Sequence, residues 1–222
     1  MPEVPTRIGA FFDMDRTVVR MNTGPLYLAY AFRHGWLRKR HVALGAWWTL
    51  LYKLTVLDTE AAVRKASATM AGAEEGELAA FCERWVAEQV VPEISRSARR
   101  VLELHRRRGD ALVLLTASSP YAAEPVARHL GMDHVLCTRP VVENGRLTGK
   151  AVEPPCIGAG KVTWAERLAA EQGIDLSQSS FYTDSIQDVP MLMRVGHPVI
   201  VNPDFRLRRI ARKNGWRSER WQ

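Results

Sequence analysis

Short apolar runs alternate with helix-period stretches along most of this sequence, and that alternation leaves few architectures open. Ile8 to Met14 contains Ile-Gly-Ala-Phe-Phe, and Leu112 to Leu115, His134 to Cys137, Ser180 to Thr183 and Pro198 to Val201 follow the same type. Each is short, apolar and bounded by polar or turn residues, which reads as a buried strand. Between them lie helical patterns over Tyr121 to Leu130, Lys161 to Gln172 and Phe205 to Lys213. They stop at Gly131, Gly173 and near Gly215, and a glycine fits a helix stop because it accepts the left-handed backbone found there. Thr116-Ala-Ser-Ser-Pro is a natural helix start. Strands that alternate with helices predict an α/β class, a Rossmann-like parallel sheet with helices on both faces. Val141 to Thr148 predicts a small hairpin turning at Asn144-Gly145.

The alternation breaks between about Val18 and Pro92. Helical patterns follow one another there, over Leu26 to His34, Val42 to Leu57, Thr59 to Met70 and Glu75 to Val90. Strand-to-helix connections usually take about 2–6 residues, so this stretch predicts a helical insert. The expected division is a core from residues 1–19 and 93–222, with a helical cap from 20–92. An insert straight after the first strand sits above the carboxyl edge of the sheet, where ligands bind in open α/β folds, and acts as a lid. Val42 to Leu57 is the most apolar part. It follows Arg38-Lys-Arg-His, contains Trp47-Trp48 and is interrupted by Lys53. It is shorter than the roughly 20 residues of a membrane span. It reads as a buried helix of the insert, or as an interfacial helix making peripheral membrane contact through its tryptophans.

Apolar residues form 46% of the 222, too many for a disordered chain. The net charge of +7 gathers near the end, in Arg206, Arg208, Arg209, Arg212, Lys213, Arg217 and Arg220. Aromatic residues are not interleaved there as on a single-strand binding platform. The charge reads as a solvated helix face, and no nucleic acid partner is expected. Cys82, Cys137 and Cys156 are too few for a disulfide framework and lack zinc-ligand spacing. The first residues have no apolar stretch of a secretory signal, so a cytoplasmic location is expected.

Four separated pieces carry chemistry. In Phe12-Asp13-Met14-Asp15-Arg16-Thr17, residues two apart at a strand end point to one side. Two carboxylates there need a cationic offset, and magnesium, which takes oxygen ligands, supplies one. One carboxylate can then attack phosphorus while the other moves protons. Thr116 follows the second strand, where a hydroxyl and helix N–H groups hold phosphate oxygens or simply cap the helix. Lys161 enters a helix after Gly158-Ala-Gly160 and could neutralise phosphate or the nucleophile. Asp184 and Asp188 follow the fourth strand. Asp184 is a metal ligand candidate, and Asp188 orients the site from behind or caps the next helix.

All four pieces can meet at one sheet edge, and together they resemble the haloacid dehalogenase superfamily of phosphatases over nearly the whole chain. The motifs that carry the resemblance are Asp13-x-Asp15-x-Thr17 and Asp184-Ser-x-x-Asp188-x-Pro-Met-Leu. The insert resembles the C1-type cap of the phosphoserine phosphatase-like branch, subfamily IB. The resemblance implies that Asp13 is a nucleophile that becomes phosphorylated and ligates magnesium. It implies that Asp15 is the general acid and then the base, lending its main-chain carbonyl to the metal. Thr17 supports the loop, Thr116 and Lys161 hold the phosphate, Asp184 ligates magnesium and Asp188 supports it. The substrate implied is a small phosphorylated metabolite.

Two positions depart from that pattern. Arg16 stands where many relatives carry a small residue. Asn22 stands where phosphoserine phosphatases carry a glutamate that reads the substrate ammonium. Asn22 and Arg64 are therefore the expected substrate-reading positions, Arg64 as a partner for a substrate carboxylate. Phosphoserine itself is expected to be a poor or secondary substrate, within a class of phosphoserine-like or amino-alcohol phosphates, and some other small phosphomonoester is expected to be turned over at least as well. A lipid-like phosphate at a membrane surface is the alternative, and a non-catalytic basic binding protein the remote one.

Overall fold

In the computed structural model, β1 (Gly9–Phe12) runs through the middle of the sheet, and every residue in it is buried. The structure describes residues 7–36, 64 and 67–222. β1 pairs in parallel with β2 (Ala111–Leu115) on one side and with β6 (Ser180–Thr183) on the other. β3 (His134–Leu136) extends the sheet beyond β2, and β7 (His197–Val201) and β8 (Arg217–Glu219) extend it beyond β6. The order is β3-β2-β1-β6-β7-β8, all parallel. Strands covered on both faces must be apolar on both, which is why they read as continuous runs.

Two hydrophobic clusters fill the faces. Phe12, Leu112, Leu114, Tyr182 and Val201 point to one, and Phe11, Val113, Leu115, Phe181 and Ile200 to the other. The helices that cover them are α1 (Thr23–Arg33), α2 (Glu75–Trp85), α3 (Arg96–Arg108), α4 (Pro120–Leu130), α5 (Ala159–Gln172), α6 (Val189–Arg194) and α7 (Phe205–Asn214). α2 continues into a π-turn, Val86–Val90, and a 3₁₀ turn, Val91–Glu93. Sequence reasoning passed over α3 and β8. Both are dominated by charged residues, and α3 shows its apolar face only through Ala98, Leu102 and the half-buried Val101.

The expected hairpin is formed by β4 (Pro140–Glu143) and β5 (Arg146–Ala151). Asn144 (φ 50°) and Gly145 (φ 74°) both take the left-handed conformation that a two-residue hairpin turn demands. The hairpin anchors the residues that lead into α2. Gly72 N–H donates to the Leu147 carbonyl at 2.8 Å, Leu147 N–H to Ala73 at 2.9 Å and Glu75 N–H to Gly145 at 2.9 Å. α2 then buries Leu78, Phe81 and Trp85 in the cluster that contains Phe12 and Leu114. α2 thus shares the core of the sheet. The predicted helix over Val42 to Leu57, with Trp47-Trp48, lies outside the described residues, as does most of Thr59 to Met70. No helix among the described residues is long and apolar enough to cross a membrane. All three cysteines are free and buried.

Candidate active site

The strand order reverses at β1, whose neighbours β2 and β6 lead away in opposite directions. Loops at the carboxyl ends of such strands diverge and leave a crevice. Here the crevice is a cavity of about 280 Å³, bounded by the loops after β1, β2, β6 and β7 and by the start of α5. Asp13, Asp15, Arg16, Asn22, Thr116, Lys161, Asp184 and Asp188 all line it. The sequence spread these residues over 176 positions, from 13 to 188, and the parallel topology brings them to one edge.

Asp13 continues β1 by one residue, its N–H donating to the Tyr182 carbonyl at 2.9 Å. Met14 is fully buried, so Asp13 and Asp15 on either side of it turn to the cavity. The loop then folds back: Val18 and Val19 N–H donate to Asp13 and Met14 carbonyls at 3.3 and 2.8 Å. Asp15 Oδ1 accepts the Thr23 N–H at 2.6 Å, which ties it to the first turn of α1. Arg16 has a left-handed backbone (φ 56°), and its Nε lies 3.2 Å from Asp184 Oδ2.

Lys161 is the buried cation of the site, with 2% of its surface exposed. Its Nζ donates to Asp13 Oδ1 at 2.7 Å and to Asp188 Oδ2 at 2.8 Å. The two glycines before it are required by space and backbone. Gly158 adopts φ 54°, ψ −121°, a conformation costly for other residues. A Cβ at Gly160 would stand 2.0 Å from the Pro155 carbonyl oxygen. Asp188 also accepts the Thr183 hydroxyl at 2.6 Å. It precedes α6 without capping it through its side chain. Of the two expected roles for Asp188, orientation is therefore the one this geometry displays. Thr116 Oγ1 accepts the Ser118 N–H at 3.2 Å, and Ser119, at the N-cap position of α4, makes no side-chain capping bond.

Burial and crowding push these groups from their ordinary ionisation. The Asp13 carboxyl rises to about 8, first through burial and then through Asp188 and Asp184, with Lys161 pulling it back. Asp184 rises to about 6 through burial, opposed by Arg16 and reinforced by Asp188. Asp15 is raised by burial and held down by its hydrogen bonds from Thr23. Burial alone would lower the Lys161 ammonium, but attraction to Asp13 and Asp188 outweighs it and raises the group. Five carboxyl groups, Asp13, Asp15, Asp184, Asp188 and Asp204, against the three cations Lys161, Arg16 and Arg206 leave the cavity wall short of positive charge. An oxygen-only donor set with that deficit fits a hard divalent cation. Among the described residues no three His, Cys, Asp or Glu side chains form a metal cluster by themselves. Magnesium usually keeps several waters and takes only one or two carboxylates, so Asp13 and Asp184 on the cavity wall would be enough to hold it.

Not every predicted residue arrives. Thr17 is buried behind the loop and does not line the cavity, and its hydroxyl has no hydrogen-bond partner among the described residues. Asn22 lines the cavity, but its Oδ1 accepts the Gly24 N–H at 2.9 Å and caps α1. Arg64 is outside the cavity lining and pairs with Glu153 at 3.0 Å on the surface. Sequence reasoning missed Thr23 and Thr183, which orient Asp15 and Asp188, and also Asp204 and Arg206, which line the cavity after β7. Thr183 is readable as the residue closing a buried strand beside two aspartates. Nothing in the pattern of α7 marks Arg206.

Comparison with known proteins bears on this geometry. The family model described as haloacid dehalogenase-like hydrolase matches residues 10–193. The chain is 35% identical to the phosphoserine phosphatase SerB1 of Mycobacterium tuberculosis, over 97% of this chain and 71% of that protein. It is 29% identical to a histidinol-phosphatase of Neisseria meningitidis, over 93% and 96% of the two chains. A solved structure from Bordetella pertussis Tohama I, of a protein with unknown function, superimposes with a TM-score of 0.88 at 30% identity, covering 96% of this chain and 98% of that one.

Proposed function

The chain belongs to the haloacid dehalogenase-like hydrolase family and is a phosphoric monoester hydrolase, and we propose that it works with magnesium through an aspartyl-phosphate on Asp13. The observation that carries this reading is the buried Asp13–Lys161–Asp188 bridge at the end of β1. Lys161 fixes one oxygen of Asp13 and leaves the carboxylate facing the cavity. A carboxylate oxygen then forms a bond to phosphorus as the ester oxygen leaves. Asp15, raised by burial, gives that oxygen its proton, and next removes a proton from the water that cleaves the acyl phosphate. Thr23 N–H keeps Asp15 in place for both transfers. Thr116 and Lys161 supply a hydroxyl and a charge for the phosphoryl oxygens. Magnesium, held by Asp13, Asp184 and the Asp15 carbonyl, would neutralise the charge of the transferring group.

The cavity volume favours a small phosphorylated metabolite. Asn22 is committed to its helix cap, so an ammonium at that place finds no carboxylate counter-charge from it. That supports a substrate other than phosphoserine. The test is phosphate release over a panel of amino-alcohol, sugar and head-group phosphates, with and without magnesium, for the wild type and Asp13→Asn. The expected result is magnesium-dependent turnover that Asp13→Asn abolishes and that ranks phosphoserine below another ester. Full activity in excess chelator, or in Asp13→Asn, would refute the mechanism.

A further inference from the structure

The two basic helices, α3 and α7, handle their charge differently. α3 engages most of its arginines. Arg106 and Arg107 both reach Glu103 at 2.9 Å, Arg106 also donates to the Leu130 carbonyl at 2.7 Å, and Arg99 meets His129 at 3.0 Å. A solvated face describes that helix. α7 has no acid in its ten residues. Arg209, Arg212 and Lys213 make no side-chain hydrogen bond or ion pair among the described residues. Arg208 reaches only the Pro203 carbonyl, at 3.4 Å, and keeps its charge. The acids on either side are already used. Asp204 accepts the Leu207 N–H at 2.8 Å as the cap of α7, and Glu219 on β8 holds Arg217 at 2.8 Å.

Buried Leu207 and Ala211 turn one side of α7 to the sheet. Residues three and four apart share a helix face. Phe205, Arg208, Arg209, Arg212 and Lys213 therefore form one outward stripe about 12 Å long, and all five are exposed. Like charges at these spacings destabilise a helix. Attraction to the helix C-terminus accounts for Arg212 and Lys213 in the last turn, but not for Arg208 and Arg209. Phe205 heads the stripe with 77% of its surface in water. A single exposed ring is ordinary. This one stands at the head of an unbalanced basic stripe, between Asp204 and Arg206, which both line the catalytic cavity.

We propose that this stripe docks the protein on an anionic membrane surface, with its cations among the lipid head groups, Phe205 inserted beside them and the cavity mouth turned to the bilayer. A single-strand nucleic acid platform sets aromatic residues among its cations, so that bases stack between phosphate contacts. Here the ring lies ahead of the charges. A polybasic patch with one apolar tip is how peripheral proteins hold to a bilayer. The apolar side of α7 is spent on the core, so the attachment is electrostatic first and reversible. The docking does not depend on the phosphatase reading. Its consequence does: an enzyme held this way reaches phosphate esters at head-group level.

The experiment is co-sedimentation of the full chain with vesicles of phosphatidylcholine alone, or with about 30% phosphatidylserine. The wild type should partition at least about tenfold more strongly onto the anionic vesicles, and the preference should shrink as salt rises. Arg209→Gln and Arg212→Gln should each lower that partition about fivefold, and the double variant about twentyfold or more. Phe205→Ser should lower it about threefold and keep the salt dependence. Arg107→Gln, on α3, should leave it unchanged. Circular dichroism checks that each variant keeps the fold, and duplex DNA followed by fluorescence anisotropy at the same salt is the competing arm. Equal partition onto both vesicles would overturn the proposal. So would an anionic preference that survives in the Arg209→Gln, Arg212→Gln double variant, or a loss as large in Arg107→Gln. Binding to the duplex tighter than to the vesicles, and lost in the same double variant, would assign the stripe to nucleic acid instead.

Discussion

Replacing Lys161 by methionine removes the only cation that touches both Asp13 and Asp188, at 2.7 and 2.8 Å among the described residues. The two carboxylates are 7% and 1% exposed, so water cannot take over. Breaking one side of a buried ion pair costs about 3–5 kcal/mol, because the partner is left charged and unpaired. For a chain of this length about 1 kcal/mol moves the melting temperature by roughly 2–4 °C. The expected loss is therefore roughly 6–20 °C in the absence of divalent cations. The pH dependence has a definite sign. Asp13 is raised from 3.8 to about 8, and Lys161 is the group pulling it down. Its removal raises the carboxyl further. A carboxyl raised in the folded state stabilises that state only below its unfolded value, and the benefit is lost as pH rises through the folded value. Between about pH 4 and 8 Asp13 is protonated in both folded proteins and ionised in the unfolded chain, so its part of the Lys161→Met deficit should stay flat across that window and grow only above about pH 8. Thermal unfolding followed by circular dichroism across that range is the assay. Adding Asp188→Asn to Lys161→Met should recover part of the loss. A deficit under about 2 °C at every pH, or one that grows on acidification, would refute the reasoning.

Three other outcomes follow from single residues. Gly160→Ala should destabilise the protein and reduce turnover together, because its Cβ would stand 2.0 Å from the Pro155 carbonyl and the start of α5, with Lys161, must shift; melting temperature and kcat measured on the same preparation check it. Asn22→Glu should gain selectively on phosphoserine over other esters, by roughly tenfold or more if a charge-assisted contact of about 1.5–3 kcal/mol is made; unchanged ranking over the substrate panel would contradict it. Calcium in place of magnesium should inhibit, since its looser and higher coordination lets Asp13 bind through both oxygens and withdraws it from attack; steady-state rates in mixtures of the two ions decide.

The core of the fold was legible because a central parallel strand must be apolar on both faces, and Phe11-Phe12, Leu112 to Leu115 and Phe181-Tyr182 announce themselves that way. Edge elements were not. β8 reads Arg-Ser-Glu and α3 carries six arginines; both are held by neighbours more than by their own pattern. The site was legible where chemistry forces a residue type, as at Asp13, Asp15, Lys161 and Asp184, which the topology gathers in one cavity. Residues that act through another group were harder to see. Thr23 serves Asp15 through its main-chain N–H, which any residue type carries. Arg206 joins the cavity only because β7 lies beside β6. Asn22 illustrates the reverse case: its place in the motif points to the substrate, while its side-chain oxygen turns to the helix it begins. Arg64, likewise chosen for a substrate carboxylate, meets Glu153.

The central claim is that Asp13 carries the phosphoryl group. Rapid quenching of the magnesium-bearing enzyme with a phosphate-labelled ester, followed by peptide mapping at acid pH, tests it most directly. The account predicts label that rises within the first turnover, decays as substrate is exhausted, and resides on Asp13, with none in Asp13→Asn. Turnover at full rate with no labelled protein, or label on a residue other than Asp13, would contradict it.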